Sequence, residues 1–220
     1  MTRGIGKRIM PSQETQEQVI AYFDELASRH GDTPQGVGWS AAAQLRRFEL
    51  LCTVGPLHGA SILDVGCGSG RFLDYLESTG RSCDYHGIDI SPRQIALARA
   101  RRPDARDRFQ IADVLQGVGT QYDFVVANGP INTRRGNPVL VMRRFIEALF
   151  ACCRVGVCFT MTSSYGDTRN DGVHYYDPAE ALAQAMTVTR WTKLDHTYLP
   201  HDFGLFYYRQ PIAHASTRSA

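Results

Sequence analysis

The sequence predicts an open α/β domain, and two observations carry that prediction. Short apolar runs alternate with helical stretches along most of the chain, and the residues that follow the runs are polar. Strands that alternate with helices form a parallel sheet, because a right-handed crossover returns each strand in the same direction. The predicted strands are SILDVG (61–66), DYHGIDI (84–90), RFQIAD (108–113), YDFVVAN (122–128) and GVCFTMT (156–162).

Apolar residues at helical spacing predict the remaining elements. A helix from Pro178 to Met186 breaks the alternation, and two strand-like runs, RWTKLDHTYL and FGLFYYRQ, follow it. Because a short Pro-His-Asp turn joins these runs, we expect an antiparallel pair at one edge of the sheet. The crossover helices are predicted at 70–78, 92–102 and 138–153, and two further helices at 14–30 and 40–54.

This pattern predicts one structural domain in three segments. Residues 1–55 form an N-terminal helical cap, 56–213 form the α/β domain with the ligand site, and 214–220 form a flexible tail. The length of 220 residues suits a single sizeable core.

Composition excludes several functional classes. The chain is 43% hydrophobic and 21% charged, with a net charge of +2 and no basic stripe that would favour nucleic acid. Neither a secretory signal nor a membrane-length apolar run is present, so we expect a cytoplasmic protein. Irregular spacing of the six cysteines favours reduced core thiols over disulfides or a metal site.

Polar residues after three predicted strands indicate a nucleotide-type site, because ligands of open α/β sheets bind at the carboxyl ends of the strands. Asp64-Val-Gly66-Cys-Gly68-Ser-Gly70 combines closely spaced glycines with a carboxylate that would repel a pyrophosphate but suit an amino group. Asp89 follows the glycines at the distance typical of a ribose-binding carboxylate, and Asp113 is placed to accept from an adenine amino group. Each of these residues alone is also compatible with an ordinary turn.

Together, ILDVGCGSG, HGIDIS, QIADV and YDFVVANGP resemble the S-adenosylmethionine site of class I methyltransferase-fold enzymes over roughly residues 60–165. The resemblance implies a Rossmann-like class I methyltransferase fold and S-adenosylmethionine as substrate or methyl donor, with no metal. It also implies which residues hold each part of the cofactor. Asp64, Gly66, Gly68 and Gly70 hold the methionine part. Asp89 and Ile90 hold the ribose, and Asp113 and Val114 hold the adenine.

Two further segments carry candidate residues. Asn128-Gly-Pro-Ile131 keeps the Asn of the Asn/Asp-Pro-Pro-aromatic element of amine methyltransferases, but Gly129 and Ile131 depart from it, and a plain turn is the alternative. Near the N-terminus, a helix start at Ser40 is flanked by residues that can cap the methionine end of the cofactor, or that simply pack. These residues are Trp39, Gln44 and Arg47.

Two adjacent tyrosines, Tyr175 and Tyr176, occupy the segment NDGVHYYDP that follows the fifth predicted strand. Aromatic faces attract a sulfonium cation by about 0.5–2 kcal/mol. We therefore expect the pair to form a lid over the sulfonium and to be catalytic together with Asn128. Which of the two rings faces the sulfonium is left open, and the alternative for either ring is core packing.

Over its whole length the chain resembles the branch of the superfamily that includes azetidine-2-carboxylate synthases. That resemblance implies cyclisation of S-adenosylmethionine to azetidine-2-carboxylic acid, with release of 5′-methylthioadenosine. The alternative is a conventional small-molecule methyltransferase, with His174, Tyr175, Tyr176, His196 or His201 orienting or deprotonating the acceptor. A scaffold without turnover is a third possibility, opposed by the complete set of glycines and aspartates.

Overall fold

A seven-stranded mixed sheet organises the protein, whose computed structural model describes residues 16–133, 136–167 and 169–212. The strand order is β3-β2-β1-β4-β5-β7-β6, and β1 to β5 are parallel. β7 pairs antiparallel with both β5 and β6, so the predicted C-terminal pair at the sheet edge is confirmed. The strands are β1 (Ser61–Val65), β2 (Asp84–Asp89), β3 (Phe109–Ile111), β4 (Tyr122–Asn128), β5 (Cys153–Thr162), β6 (Thr192–Leu199) and β7 (Asp202–Tyr208).

Six α-helices accompany the sheet in the described residues. Several begin with the predicted signals: the Ser40 hydroxyl accepts a hydrogen bond from Ala43 N, and Asp177, which precedes Pro178, accepts from Ala179 N at 2.7 Å. The helices are α1 (Gln16–His30), α2 (Ala41–Leu51), α3 (Arg71–Ser78), α4 (Pro92–Arg101), α5 (Pro138–Cys152) and α6 (Pro178–Met186).

The strands bury side chains on both faces of the sheet, as their continuous apolar runs predict. Because successive side chains of a strand point to opposite faces, Ile62 belongs to one apolar cluster and Leu63 to the other. Phe72 and Leu76 of α3 join the first cluster, and Leu149 of α5 joins the second.

β5 begins at Cys153, three residues earlier than predicted. Cys153 is fully buried and pairs with Tyr122 of β4 across an irregularity in the register, and this pairing extends the strand back to the end of α5. A partner 31 residues away therefore decides a boundary that local spacing leaves open.

α1 packs against α4, and α2 packs against β4, β5 and β6. The division at 55/56 into a cap and an α/β domain stays a prediction, and the predicted tail at 214–220 lies outside the described residues. No described helix combines the length and apolar character needed to cross a membrane.

Candidate functional site

A cavity of about 400 Å³ lies over the carboxyl ends of β1 to β5, within the size range of small-molecule sites. Strand ends and the loops after them form its floor, while Tyr22 and Phe23 of α1 and Trp39 ahead of α2 line the opposite side. The predicted site therefore coincides with this cavity. The sequence did not predict that Tyr22 and Phe23 would line it.

The glycine loop after β1 needs backbone that only glycine adopts readily. Gly66 has φ +77 and Gly68 has φ +55, in the left-handed region. A Cβ on Gly68 would lie 2.8 Å from Val37 Cγ1, and one on Gly66 would lie 3.1 Å from Pro130 Cβ. The loop is thus pressed between the N-terminal segment and the loop after β4.

Asp64 is buried at the end of β1 and lines the cavity. Tyr85 Oη donates a hydrogen bond to Asp64 Oδ2 at 2.7 Å. Burial raises the pKa of Asp64 to about 7; the bond from Tyr85 opposes the shift and the nearby Asp89 charge adds to it. A cation bound beside this carboxyl would favour its ionised form.

Asp89 lines the cavity at the end of β2 and holds the neighbouring loops by two backbone bonds. Gly68 N donates to Oδ2 at 2.9 Å, and Ser91 N donates to Oδ1 at 2.8 Å. A carboxylate has about four acceptor positions, and these two bonds use one position on each oxygen. Asp89 therefore has a structural role in addition to any ligand role.

Asp113 lies beyond β3 and caps a short 3₁₀ turn at 114–116. Its Oδ1 accepts from Leu115 N at 2.9 Å, and its Oδ2 accepts from Gln16 Nε2 of α1 at 3.1 Å. Ile90 and the buried Val114 line the cavity next to these carboxylates. Three carboxylates and two aliphatic side chains thus lie at the β1–β3 end, as predicted.

The N-terminal candidates divide into two groups. Trp39 and Gln44 line the cavity, whereas Arg47 does not. Arg47 is fully buried in an ion pair with Asp202 of β7, and its Nε donates to Asp202 Oδ2 at 2.8 Å. Its guanidinium also lies 3.7 Å from the centroid of a Trp39 ring. The prediction that Arg47 caps the methionine end of the cofactor is not supported, because Arg47 lies outside the cavity lining and pairs with a carboxylate of the protein.

The two tyrosines also differ in where their side chains lie. Tyr175 lines the cavity, and its hydroxyl accepts from Asn170 N at 2.8 Å. Tyr176 is buried in the apolar core and donates to Ile131 O at 2.9 Å. Of the two rings, Tyr175 is therefore the one at the cavity, and the burial of Tyr176 contradicts its predicted catalytic role. Its backbone bridges to Ser163 beside β5, and neighbours in extended backbone point to opposite sides.

Beyond β4 the polar groups that line the cavity are amides, hydroxyls, one imidazole and the exposed carboxylate of Asp171. Asn128 lines this end, but its Oδ1 accepts from Thr160 Oγ1 at 3.1 Å, so part of its acceptor capacity is in use. His201 lines the cavity. His174 and His196 do not: the first packs against Tyr176, and the second against Tyr165 and Phe203.

Asn132 and Thr133 also line this end, and the sequence prediction missed both. The only signal for Asn132 in the sequence was its position three residues after Gly129, where the chain departs from the Asn/Asp-Pro-Pro-aromatic element. Within the described residues, no group of three or more His, Cys, Asp or Glu is arranged to hold a metal ion.

Comparisons with known proteins agree with this geometry. Residues 63–158 match the family described as a methyltransferase domain. The Mycobacterium tuberculosis protein Rv1506c, whose name describes it as a methyltransferase, is 33% identical over 162 residues, which cover 71% of this chain and 94% of that protein. Magnesium-protoporphyrin O-methyltransferase of Rhodobacter capsulatus is 35% identical over 138 residues, or 54% of this chain and 58% of that enzyme.

Among solved structures, magnesium protoporphyrin IX methyltransferase of Synechocystis PCC 6803, crystallised with bound S-adenosylmethionine, has the same fold. The TM-score is 0.68 at 16% identity, covering 91% of this chain and 100% of that one.

The fold is therefore that of the class I methyltransferases. The chain belongs to the class I S-adenosylmethionine-dependent methyltransferase superfamily, as its kinship with Rv1506c and the match at 63–158 show. These relatives carry the names of methyltransferases, so they favour the conventional methyltransferase over closure of the cofactor on itself.

Proposed function

We propose that the protein transfers the methyl group of S-adenosylmethionine to a small molecule. The chemical asymmetry of the cavity carries this proposal. Its β1–β3 end presents three carboxylates, Asp64, Asp89 and Asp113. Its β4–β5 end presents mainly amides and hydroxyls together with Tyr175 and His201, and one exposed carboxylate, Asp171. The first end suits the amino and hydroxyl donors of the cofactor, which leaves the second for an acceptor.

In this proposal the carboxylates bind the three donor groups of the cofactor. Asp89 accepts from the ribose hydroxyls, Asp113 accepts from the adenine amino group, and Asp64 faces the α-ammonium group. The ammonium charge offsets the burial that raises the pKa of Asp64. The side chains that flank the adenine and ribose are Ile90 and Val114. Trp39, Gln44 and the backbone of Gly66 cover the methionine part, whereas Gly68 and Gly70 do not line the cavity and shape the loop through their positive φ angles.

The sulfonium then lies where the two ends meet. Tyr175 lines this side of the cavity, and the guanidinium of Arg169 lies over one face of its ring, 4.3 Å from the centroid. The other face, next to a sulfonium, would stabilise it by about 0.5–2 kcal/mol. The nucleophilic atom of the acceptor attacks the methyl carbon while the carbon–sulfur bond breaks, which yields S-adenosylhomocysteine. His201 is the imidazole placed to take the proton of the acceptor, and Asn128 orients it.

Two observations support a small acceptor over a macromolecule. α1 and the Trp39 segment cover part of the site, and a net charge of only +2 does not favour binding to nucleic acid. The Rhodobacter capsulatus relative is named for magnesium-protoporphyrin, a small molecule.

Product analysis tests the proposal. The purified protein is incubated with S-adenosylmethionine, with and without a panel of small phenols, carboxylic acids and amines, and the adenosine products are separated by mass spectrometry. We expect S-adenosylhomocysteine that depends on an acceptor. Methylthioadenosine formed without any acceptor would instead support the azetidine-forming cyclisation or a lyase and contradict methyl transfer. Failure to bind S-adenosylmethionine would contradict both.

A further inference from the structure

Asn132 is held rigidly by its backbone and by one of its two side-chain polar atoms. Asn132 N donates to Gly129 O at 3.2 Å, and Asn132 O accepts from His174 N at 2.7 Å. Its Oδ1 accepts from Thr162 N at 3.1 Å, at the end of β5. The residue therefore joins the loop after β4, the end of β5 and the segment before Tyr175.

The bond to Thr162 N identifies the second polar atom of the Asn132 side chain. A backbone N–H only donates, so the side-chain atom facing Thr162 N must be the amide oxygen, and the other must be the NH₂ group. Asn132 is 6% exposed and lines the cavity, and its Nδ2 has no hydrogen-bond partner among the described residues. A buried donor left unpaired costs free energy, so this group is suited to a ligand.

Gly129 makes room for the Asn132 amide. A Cβ built on Gly129 would lie 2.5 Å from Asn132 Nδ2 and 2.9 Å from Trp39 Cζ2. The departure of Asn128-Gly-Pro-Ile from the amine-methyltransferase element therefore has a physical reason. A residue with a side chain at position 129 would collide with the amide.

The neighbours of this amide include a second candidate donor. Thr133 Oγ1 is buried without a hydrogen-bond partner in the described part of the chain, and Thr133 lines the same end of the cavity. The carboxylates Asp64, Asp89 and Asp113 are at the other end. Asn132 and Thr133 thus supply two unpaired polar groups beyond β4, an NH₂ group and a hydroxyl. Both can donate a hydrogen bond to an oxygen acceptor.

We infer that Asn132 is a specificity-determining residue that donates from Nδ2 to a carbonyl or carboxylate oxygen of the methyl acceptor. This inference rests on the proposed function, because it assigns the opposite end of the cavity to the cofactor. It identifies the acceptor class as small molecules that carry a carbonyl or carboxyl group, with the Thr133 hydroxyl available to the same group.

Side-chain amide NMR provides the test. The wild-type protein, labelled with ¹⁵N and saturated with S-adenosylhomocysteine, is titrated with acetate, benzoate and benzamide, and in parallel with benzylamine and aniline. We expect at least one carbonyl compound to shift the Asn132 NH₂ resonance, while the two amines leave it in place. The resonance is assigned by its loss in the Asn132→Asp variant.

Asn132→Asp is the matched variant, because its carboxylate still accepts from Thr162 N but cannot donate. We expect it to weaken binding of the carbonyl probe about tenfold or more, and S-adenosylhomocysteine binding less than about threefold. An NH₂ resonance unmoved by every carbonyl probe would overturn the inference, as would one moved only by S-adenosylhomocysteine. If S-adenosylhomocysteine itself fails to bind the wild type, the proposed function fails instead.

Discussion

At the scale of single residues, Asp64 is the group whose chemistry depends most on its surroundings. It lies at 2% exposure between the Tyr85 hydroxyl and the cavity, and burial raises the pKa of its carboxyl to about 7. The same carboxyl in the unfolded chain titrates near 4. The folded protein therefore holds a proton between about pH 4 and pH 7 that the unfolded chain has released.

This difference predicts a pH dependence of stability in the ligand-free protein. A raised folded-state pKa contributes stability at low pH that is lost as the pH rises through about 7. We expect the free energy of unfolding of the wild type, relative to Asp64→Asn, to fall by up to about 3 kcal/mol between pH 5 and pH 8. Urea denaturation of both proteins across this range measures it. Parallel profiles for the two proteins would mean that Asp64 is already ionised at pH 5.

At the scale of secondary-structure elements, the buried ion pair of Arg47 and Asp202 joins α2 to β7. Tyr198 of β6 donates to the second oxygen of Asp202 at 2.6 Å, so one carboxylate connects a helix with two strands. Burial raises the pKa of Asp202, an effect that the Arg47 charge opposes. Removal of Arg47 would leave that carboxyl buried without its cation.

Arg47→Met is therefore expected to destabilise the protein by about 3–5 kcal/mol, the usual cost of breaking a buried pair. Arg46→Met is the matched control, because Arg46 is the preceding residue and forms an exposed pair with Glu49. We expect that control to lose less than about 1 kcal/mol. Urea denaturation of the two variants measures both changes in the free energy of unfolding. Equal losses would show that the buried pair contributes no more to stability than the exposed pair.

The N-terminal segment is also connected to the glycine loop at this scale. Ser69 Oγ donates to Asp32 Oδ1 at 2.7 Å, and Gln94 Nε2 of α4 donates to Gly36 O at 2.7 Å. These bonds hold the segment between α1 and α2 against the loop that follows β1. The cover of the cavity is thus part of the folded unit.

At the scale of the whole molecule, the cavity is lined by residues from α1, α2 and the ends of five strands, so a ligand there binds only the folded chain. Binding to the native state alone stabilises it by about 2.7 kcal/mol at a ligand concentration 100 times the Kd. For a chain of this size we expect S-adenosylhomocysteine to raise Tm by about 5 to 10 °C.

Two variants of one strand provide the control for this thermal shift. Asp89→Asn removes the charge at the carboxyl end of β2 and is expected to lose most of the increase in Tm at the same ligand concentration. Asp84→Asn alters an exposed carboxylate at the opposite end of β2 and is expected to keep it. An equal shift in both variants would contradict the ribose role proposed for Asp89.

Much of this architecture follows from local sequence. Strand and helix positions depend on spacing within a few residues, and the helix starts at Ser40 and Pro178 depend on caps two or three residues away. The positions of Asp64, Asp89 and Asp113 follow from the rule that ligands bind at the carboxyl ends of parallel strands. These features require no knowledge of distant contacts.

The tertiary structure alone decided which neighbouring side chains face the cavity. Arg47 is engaged by Asp202, 155 residues away, and Tyr176 by Ile131, 45 residues away, so both are withdrawn from the site. Asn132 enters it because Thr162 holds its amide oxygen and Gly129 leaves space for its nitrogen. By itself the sequence determined the class of fold and the positions of Asp64, Asp89 and Asp113 at the ends of the strands. The orientation of loop side chains depends on partners far along the chain, and only packing brings those partners together.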